Sequence, residues 1–318
     1  MLFRKVCRKM NHFSYEKTEI MPISVPGDDL RVICKRDDRF LGGYGGSKAR
    51  MLKYILFPIK EEGIDLILTA GGPCSNFNRA LSVYCAEMHI RLRIVSYTDQ
   101  KEQYDTSLNY HITRLMNVEY VFCDKKDVSD VLDREKEKLE KGKCKYIFIY
   151  GGAEGNVDGM EAYFDAVREL KGQIDDISHI FLPCGTGTTT TGICAGAQAF
   201  FPHAKVHAIS VARKWEVEKV VLENNIRLLN LRKKSNYSFD NLVFHDQYLE
   251  GGYAHHSVDI ARTIEEVAAS SGMILDPIYS GKAFWGMVKE LREIEENERE
   301  KVLFWNTGGL INFLSSIK

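Results

Sequence analysis

Lys48 is the residue with the clearest potential for covalent chemistry. It stands in the stretch Gly-Gly-Tyr-Gly-Gly-Ser-Lys-Ala-Arg, residues 42–50, after four glycines and a serine. Beyond it Leu52, Ile55, Leu56 and Ile59 recur at helical spacing, which predicts an amphipathic helix with Ser47 as its N-cap. A lysine in the first turn of a helix faces the positive end of the helix dipole, so its ammonium form is disfavoured. An amine with a lowered pKa can attack a carbonyl and be held as an imine. The alternative is an ordinary solvated lysine, and Lys48 alone does not decide between them.

Four further loops lie at the ends of the strand-like and helix-like runs. Thr69-Ala-Gly-Gly-Pro-Cys-Ser-Asn, residues 69–76, offers free backbone N–H groups with the Ser75 and Asn76 side chains, a set suited to a carboxylate; an ordinary capped helix start is the plainer account. Pro183-Cys-Gly-Thr-Gly-Thr-Thr-Thr-Thr-Gly, residues 183–192, has the small residues and hydroxyls that close around a phosphate. It is neither a Walker A loop, since no lysine precedes the hydroxyls, nor the dinucleotide fingerprint, whose third glycine would fall at Thr190. Leu275-Asp-Pro-Ile-Tyr-Ser-Gly-Lys, residues 275–282, places Tyr279 and Ser280 before a helix. Asn306-Thr-Gly-Gly, residues 306–309, ends the last strand-like run and could be a simple terminal turn. Together with Lys48 these loops make one set: a lysine nucleophile, a phosphate cup and an anion loop. Pyridoxal 5'-phosphate with an amino-acid substrate needs that set.

The motifs also occur in a recognisable order. Gly-Ser-Lys-Ala-Arg-Met-Leu, Gly-Gly-x-x-Ser-Asn, Gly-Thr-Gly-x-Thr-x-x-Gly, Asp-Pro-x-Tyr-x-Gly-Lys and x-Thr-Gly-Gly resemble the 1-aminocyclopropane-1-carboxylate deaminase/D-cysteine desulfhydrase family from about residue 20 onward. These are pyridoxal-phosphate enzymes of fold type II, the tryptophan synthase β-like fold. The resemblance implies Lys48 as the Schiff-base lysine and Asn76 at the cofactor's phenolic oxygen. It implies Ser75 at the substrate carboxylate or in proton transfer. Gly185, Thr186, Gly187, Thr188 and Thr189 would form the phosphate cup, with Ser280 and Thr307 at the ring nitrogen. Tyr279 and Tyr253 would be the acid/base tyrosines.

The chain departs from the family pattern at Cys74 and Phe77, where Gln and His are usual, at Thr188 in place of glycine, and at Asn306 in place of histidine. These departures bear on the substrate more than on the cofactor. After the tyrosine, deaminases resemble one another in having glutamate and desulfhydrases tend to have threonine; Ser280 sides with the second group. The resemblance therefore implies β-elimination on a small amino acid, most like D-cysteine to pyruvate, hydrogen sulfide and ammonia. Deamination of the cyclopropane amino acid and a cysteine-synthase-like β-replacement are the enzyme alternatives. A phosphate- or nucleotide-binding module without catalysis is the alternative from another class.

These loops must be positioned by the segments between them. Runs at residues 64–69, 91–97, 118–123, 146–150, 180–184, 206–211 and 302–305 read as strands. Those at about 104–116, 127–141, 159–170, 215–229, 257–270 and 281–293 read as helices, with two more running from the glycine loops to about Met88 and Phe201. The alternation predicts βαβ units, an α/β fold with mostly parallel sheets and sites at the carboxyl ends of the strands. Residues 1–40 read as an arm leading into the first loop. The resemblance adds a two-domain division, residues 1–50 with 164–318 forming the large domain and 51–163 the small one, and a homodimer.

Composition narrows the partners. A chain of 318 residues with 44% hydrophobic content can bury a sizeable core, and a net charge of -1 argues against nucleic acid. No run is long enough to span a membrane, and no signal-like apolar segment follows the basic first ten residues. Eight cysteines without a Cys-x-x-Cys pair and nine histidines without ligand spacing suggest a cytoplasmic protein with no metal site.

Overall fold

The computed structural model describes residues 17–59, 62–150, 155–252 and 255–317. Among these residues ten strands form two sheets. The strands are β1 (Ile20–Ser24), β2 (Arg31–Arg36), β3 (Leu66–Ala70), β4 (Arg91–Ser96), β5 (Glu119–Phe122), β6 (Tyr146–Phe148), β7 (His179–Cys184), β8 (Lys205–Ser210), β9 (Leu242–His245) and β10 (Val302–Asn306). The larger sheet runs in the order β1-β2-β10-β7-β8-β9 and the smaller in the order β5-β4-β3-β6. All pairings are parallel except β1 with β2, in which Ile20 faces Lys35.

The expected α/β alternation is therefore present. Residues 20–36 differ from the expected arm: they form an antiparallel hairpin that extends the edge of the larger sheet. Every residue of β3, β7 and β10 is buried, as a strand covered by helices on both faces requires.

The main helices are α1 (Ser47–Leu56), α2 (Asn76–Met88), α3 (Leu108–Leu115), α4 (Val128–Lys141), α5 (Val157–Lys171), α6 (Thr188–Phe200), α7 (Trp215–Lys233), α8 (Val258–Ser271), α9 (Ser280–Glu290) and α10 (Leu310–Ser316). One apolar cluster, with Phe181, Phe284 and Phe304, lies between α8–α9 and the larger sheet. A second, with Tyr163, Ile193 and Trp305, lies under α5 and α6. A third, with Leu52, Ile67, Leu81 and Ile94, joins α1 and α2 to the smaller sheet. Helices α5 and α6 approach closely because Gly192 lacks a side chain: a Cβ there would stand 2.4 Å from the Met160 carbonyl oxygen. Helix α1 packs on both α2 and α5, and so belongs to the surroundings of both sheets.

A buried ionic network fixes α1 from below. The Asp37 carboxylate accepts hydrogen bonds from Arg50 Nη2 at 2.8 Å, Thr18 Oγ1 at 2.8 Å, Trp305 Nε1 at 2.9 Å and Tyr163 OH at 3.0 Å. Arg50 Nη1 also reaches Glu169 at 2.9 Å, and Glu169 pairs with Lys35. Burial pushes the Asp37 carboxyl up, but Arg50 and Lys35 outweigh it and hold the group below its ordinary range. Two cations face two carboxylates, so each buried charge has a partner.

A lysine cavity at the strand ends

The carboxyl ends of strands from both sheets open onto one cavity of about 730 Å³. Its wall includes Ala70 and Gly71 at the end of β3, Tyr97 after β4, Pro183 and Gly185 at the end of β7, Arg213 after β8 and Thr307 after β10. Lys48, Ser75, Asn76, Gly185, Thr186, Gly187, Thr188, Thr189, Tyr279 and Thr307 all line it. The structure thus brings together residues separated by up to about 260 positions. Ser280 is not among the lining residues. Tyr253 lies outside the described residues.

Lys48 sits in the first turn of α1, but the N-cap is Gly46 and not Ser47. Ser47 is instead the first helical residue, and its N–H donates to the Thr307 carbonyl at 2.8 Å. Gly46 allows this approach because its φ is +87° and a Cβ there would lie 2.9 Å from the Thr307 oxygen. Burial in the cavity wall lowers the Lys48 amine to about 8. Charge leaves a lysine when water does, and Nζ makes no hydrogen bond to a described residue. An amine in this state is a usable nucleophile near neutral pH.

Across the cavity, the Ser75 Oγ caps α2 by accepting from Asn78 N–H at 3.1 Å. Its hydroxyl hydrogen remains able to donate into the cavity. Asn76 follows at the first position of the helix. Arg79, one turn on, is 3% exposed and donates to the carbonyl oxygens of Gly43 and Gly45. Burial brings its guanidinium down to about 10. Arg79 thereby ties α2 to the glycine loop that carries Lys48. It had no motif to announce it in the sequence, although its i,i+3 spacing from Asn76 places both on one helix face.

The turn before α6 is built for an anion. Gly187 is the N-cap with φ +72°, and no side chain caps the helix. The first-turn N–H groups have no acceptor within the helix, and the Thr188 and Thr189 hydroxyls stand beside them. A Cβ on Gly187 would lie 2.9 Å from Glu218 Oε1 and Leu222 Cδ2. Gly185 lies beside the Tyr279 ring, whose Cε1 would be in ordinary contact, 3.5 Å, with a Cβ at that position.

Tyr279 is presented by Asp276. This buried carboxylate accepts from the backbone N–H groups of Ile278, Tyr279 and Ser280 at 3.0, 3.0 and 2.8 Å. The Ser280 hydroxyl also donates to Asp276 Oδ1, at 2.7 Å, and accepts from the Asp276 N–H at 2.8 Å. The Ser280 hydroxyl is thus engaged with Asp276 inside the turn, behind the cavity wall. Thr307, by contrast, lines the cavity.

The residues present suit pyridoxal 5'-phosphate: a neutralisable amine, an uncapped helix N-terminus among hydroxyls, and an amide opposite. Among the described residues no cluster of His, Cys, Asp and Glu is arranged for a metal, and no helix is long and apolar enough to cross a membrane.

Comparison with known proteins agrees with the geometry. The family model described as "Pyridoxal-phosphate dependent enzyme" matches residues 14–308. The bifunctional D-cysteine desulfhydrase/1-aminocyclopropane-1-carboxylate deaminase, mitochondrial, of Arabidopsis thaliana is 30% identical over 89% of this chain and 73% of its own. The putative 1-aminocyclopropane-1-carboxylate deaminase of Thermotoga maritima is 31% identical over 90% of this chain and 91% of its own. The crystal structure of an ACC deaminase homologue superposes with a TM-score of 0.83 at 26% identity, covering 97% of this chain and 95% of that one. The chain therefore belongs to the pyridoxal-phosphate-dependent enzyme family, with the fold-type-II architecture.

Proposed function

We propose that this chain catalyses β-elimination on a small amino acid, most like the conversion of D-cysteine and water to pyruvate, hydrogen sulfide and ammonia. The observation that carries the reading is the Lys48 side chain, which has no hydrogen-bond partner among the described residues and shares one cavity with the uncapped α6 turn. When bound, the cofactor supplies an electron sink for the carbon whose proton is removed. The chain's own residues do the rest. The Thr186–Thr189 turn would hold the phosphate, and Thr307 would offer its hydroxyl to the ring nitrogen. Ser75 and the α2 N-terminus receive the substrate carboxylate. Lys48 Nζ or Ser75 Oγ takes the Cα proton. Tyr279 OH donates a proton to the departing sulfur.

A second observation favours elimination over ring opening. Asp99 is the single carboxylate among the described lining residues, and it pairs with Lys125 at 3.1 Å. Opening a cyclopropane without loss of a Cα proton favours a fully protonated pyridine, which a carboxylate at the ring nitrogen would secure; a threonine hydroxyl only bonds it. Prompt loss of a leaving group needs less.

On the same reading, residues 51–163 act as the small domain, and residues 1–50 with 164–318 as the large one. The separate four- and six-stranded sheets support this division, with the cuts falling inside α1 and α5. The protein acts as a homodimer, as the resemblance implies, and resides in the cytoplasm, a reading supported by unpaired cysteines throughout the described residues. A substrate screen tests the function: pyruvate with hydrogen sulfide from D-cysteine supports it. Release of 2-oxobutyrate from the cyclopropane amino acid alone, or cysteine formation from an activated serine alone, contradicts it.

A further inference from the structure

We infer that Asn109 is a positioning residue that fixes which end of the Asn76 amide faces the cavity. The inference rests on the pyridoxal-phosphate reading of the site and adds a residue that no motif includes.

Asn109 is fully buried, at the start of α3. Its Nδ2 lies 3.1 Å from the Cys74 carbonyl oxygen, 3.0 Å from Asn76 Oδ1 and 2.7 Å from Asn312 Oδ1. Oxygen and nitrogen of a side-chain amide are assigned from their partners, and here one partner is unambiguous. The Cys74 carbonyl can only accept, so the Asn109 atom beside it must be the NH₂ group. That group can only donate, so the Asn76 atom facing it must be the oxygen. Asn76 is left with Nδ2 toward the cavity, and no described residue takes it. The cavity therefore receives a hydrogen-bond donor, which suits an anionic oxygen such as the phenolate of the cofactor.

The same side chain joins the two sheets. Ser107 Oγ donates to the Pro73 carbonyl at 2.9 Å, and Leu108 N–H donates to Ser315 Oγ at 3.0 Å. Asn312 lies in α10, directly after the Thr307-Gly308-Gly309 turn. The start of α3 is thus wedged between the Ser75–Asn76 loop and the C-terminal helix, and Asn109 is its central contact. Asn109 Oδ1 is buried without a described partner, so the residue's worth lies in its donors.

The test is a spectroscopic pH titration of the loaded protein. A donor to the phenolate favours the deprotonated form of the lysine–cofactor linkage, so removing it raises the pH midpoint of the yellow-to-colourless change. Asn109→Ala and Asn76→Ala are each expected to raise the midpoint by roughly one pH unit. The double variant is expected to match Asn76→Ala alone, because Asn109 acts through Asn76. Asn109→Asp is nearly isosteric and guards against misfolding. Its carboxylate cannot donate, so its midpoint must also rise. A parental midpoint in either Asn109 variant overturns the assignment, and so does an Asn109→Ala shift that persists undiminished on the Asn76→Ala background. A parent protein that stays colourless with the cofactor overturns the reading of the site itself, an outcome distinct from a yellow parent whose variants do not shift.

Discussion

The Ser47 N–H donates to the Thr307 carbonyl at 2.8 Å, joining the first motif of the chain to the last. The bond ties the start of α1, which carries Lys48, to the turn after β10, and both line the cavity. Gly46 makes the contact possible. Gly46→Ala would strain a left-handed backbone and press a methyl group to 2.9 Å from the Thr307 oxygen. We expect it to cost about 1–3 kcal/mol of stability and to weaken cofactor binding about tenfold or more. Denaturant unfolding and a cofactor titration measure the two effects; parental values for both would show that the contact is not needed.

The pair beneath α1 predicts a larger loss. Arg50→Met leaves Asp37 and Glu169 with one buried cation, Lys35, between them. Removing one partner of a buried pair costs about 3–5 kcal/mol. Urea unfolding should register a loss in that range, and a change below about 1 kcal/mol would contradict the network's role.

Lys48 predicts a pH dependence of loading. Its amine is lowered to about 8 by burial, and only the neutral amine attacks an aldehyde. The rate at which the cofactor-free protein takes up pyridoxal phosphate should rise with pH and level off above about 8. Stopped-flow absorbance follows it, and a plateau near the ordinary lysine value would show that Lys48 is not desolvated before loading.

Three histidines cross the larger sheet in a hydrogen-bonded line. His179 Nδ1 meets His207 Nε2 at 2.9 Å, and His207 Nδ1 meets His245 Nε2 at 3.0 Å. Glu298 flanks one end, with Lys205 also acting on the near rings, and Glu290 flanks the other. Burial lowers His207 to about 2, with His245 and His179 adding to the effect. The unfolded chain binds a proton at His207 below about 6.5 and the folded chain does not, so stability is lost as pH falls through that value. One such group contributes a slope of about 1.4 kcal/mol per pH unit. His207→Phe should remove that much of the slope between pH 6 and 4 in denaturation curves, about two units of pH. An unchanged slope would mean that the chain takes up a proton while folded.

Much of the fold was legible because buried parallel strands are apolar runs and glycine loops punctuate them. The alternation of Ile64–Thr69 with the helix after Asn76 is such a case. The β1–β2 hairpin was not legible: Ile20–Ser24 is short and half-buried at a sheet edge, so it lacks a core strand's pattern. Nor was β9, four residues beside a polar loop. That the motif loops gather at one cavity was legible because parallel strands bring their carboxyl-end loops together. Asn109 and Asp37 were not, because their partners lie far along the chain: Asn312 is 203 residues from Asn109, and Trp305 is 268 from Asp37. The position of Ser280 was legible but its partner was not, since the turn folds Asp276 back onto it.

The central claim is that the Lys48 amine forms the carbon–nitrogen bond to the cofactor. Borohydride reduction of the loaded protein, followed by digestion and mass spectrometry, tests it directly. The account predicts a pyridoxyl-phosphate adduct on the peptide containing Lys48, and no adduct in Lys48→Ala. An adduct on another lysine, or one that survives the substitution, would contradict it.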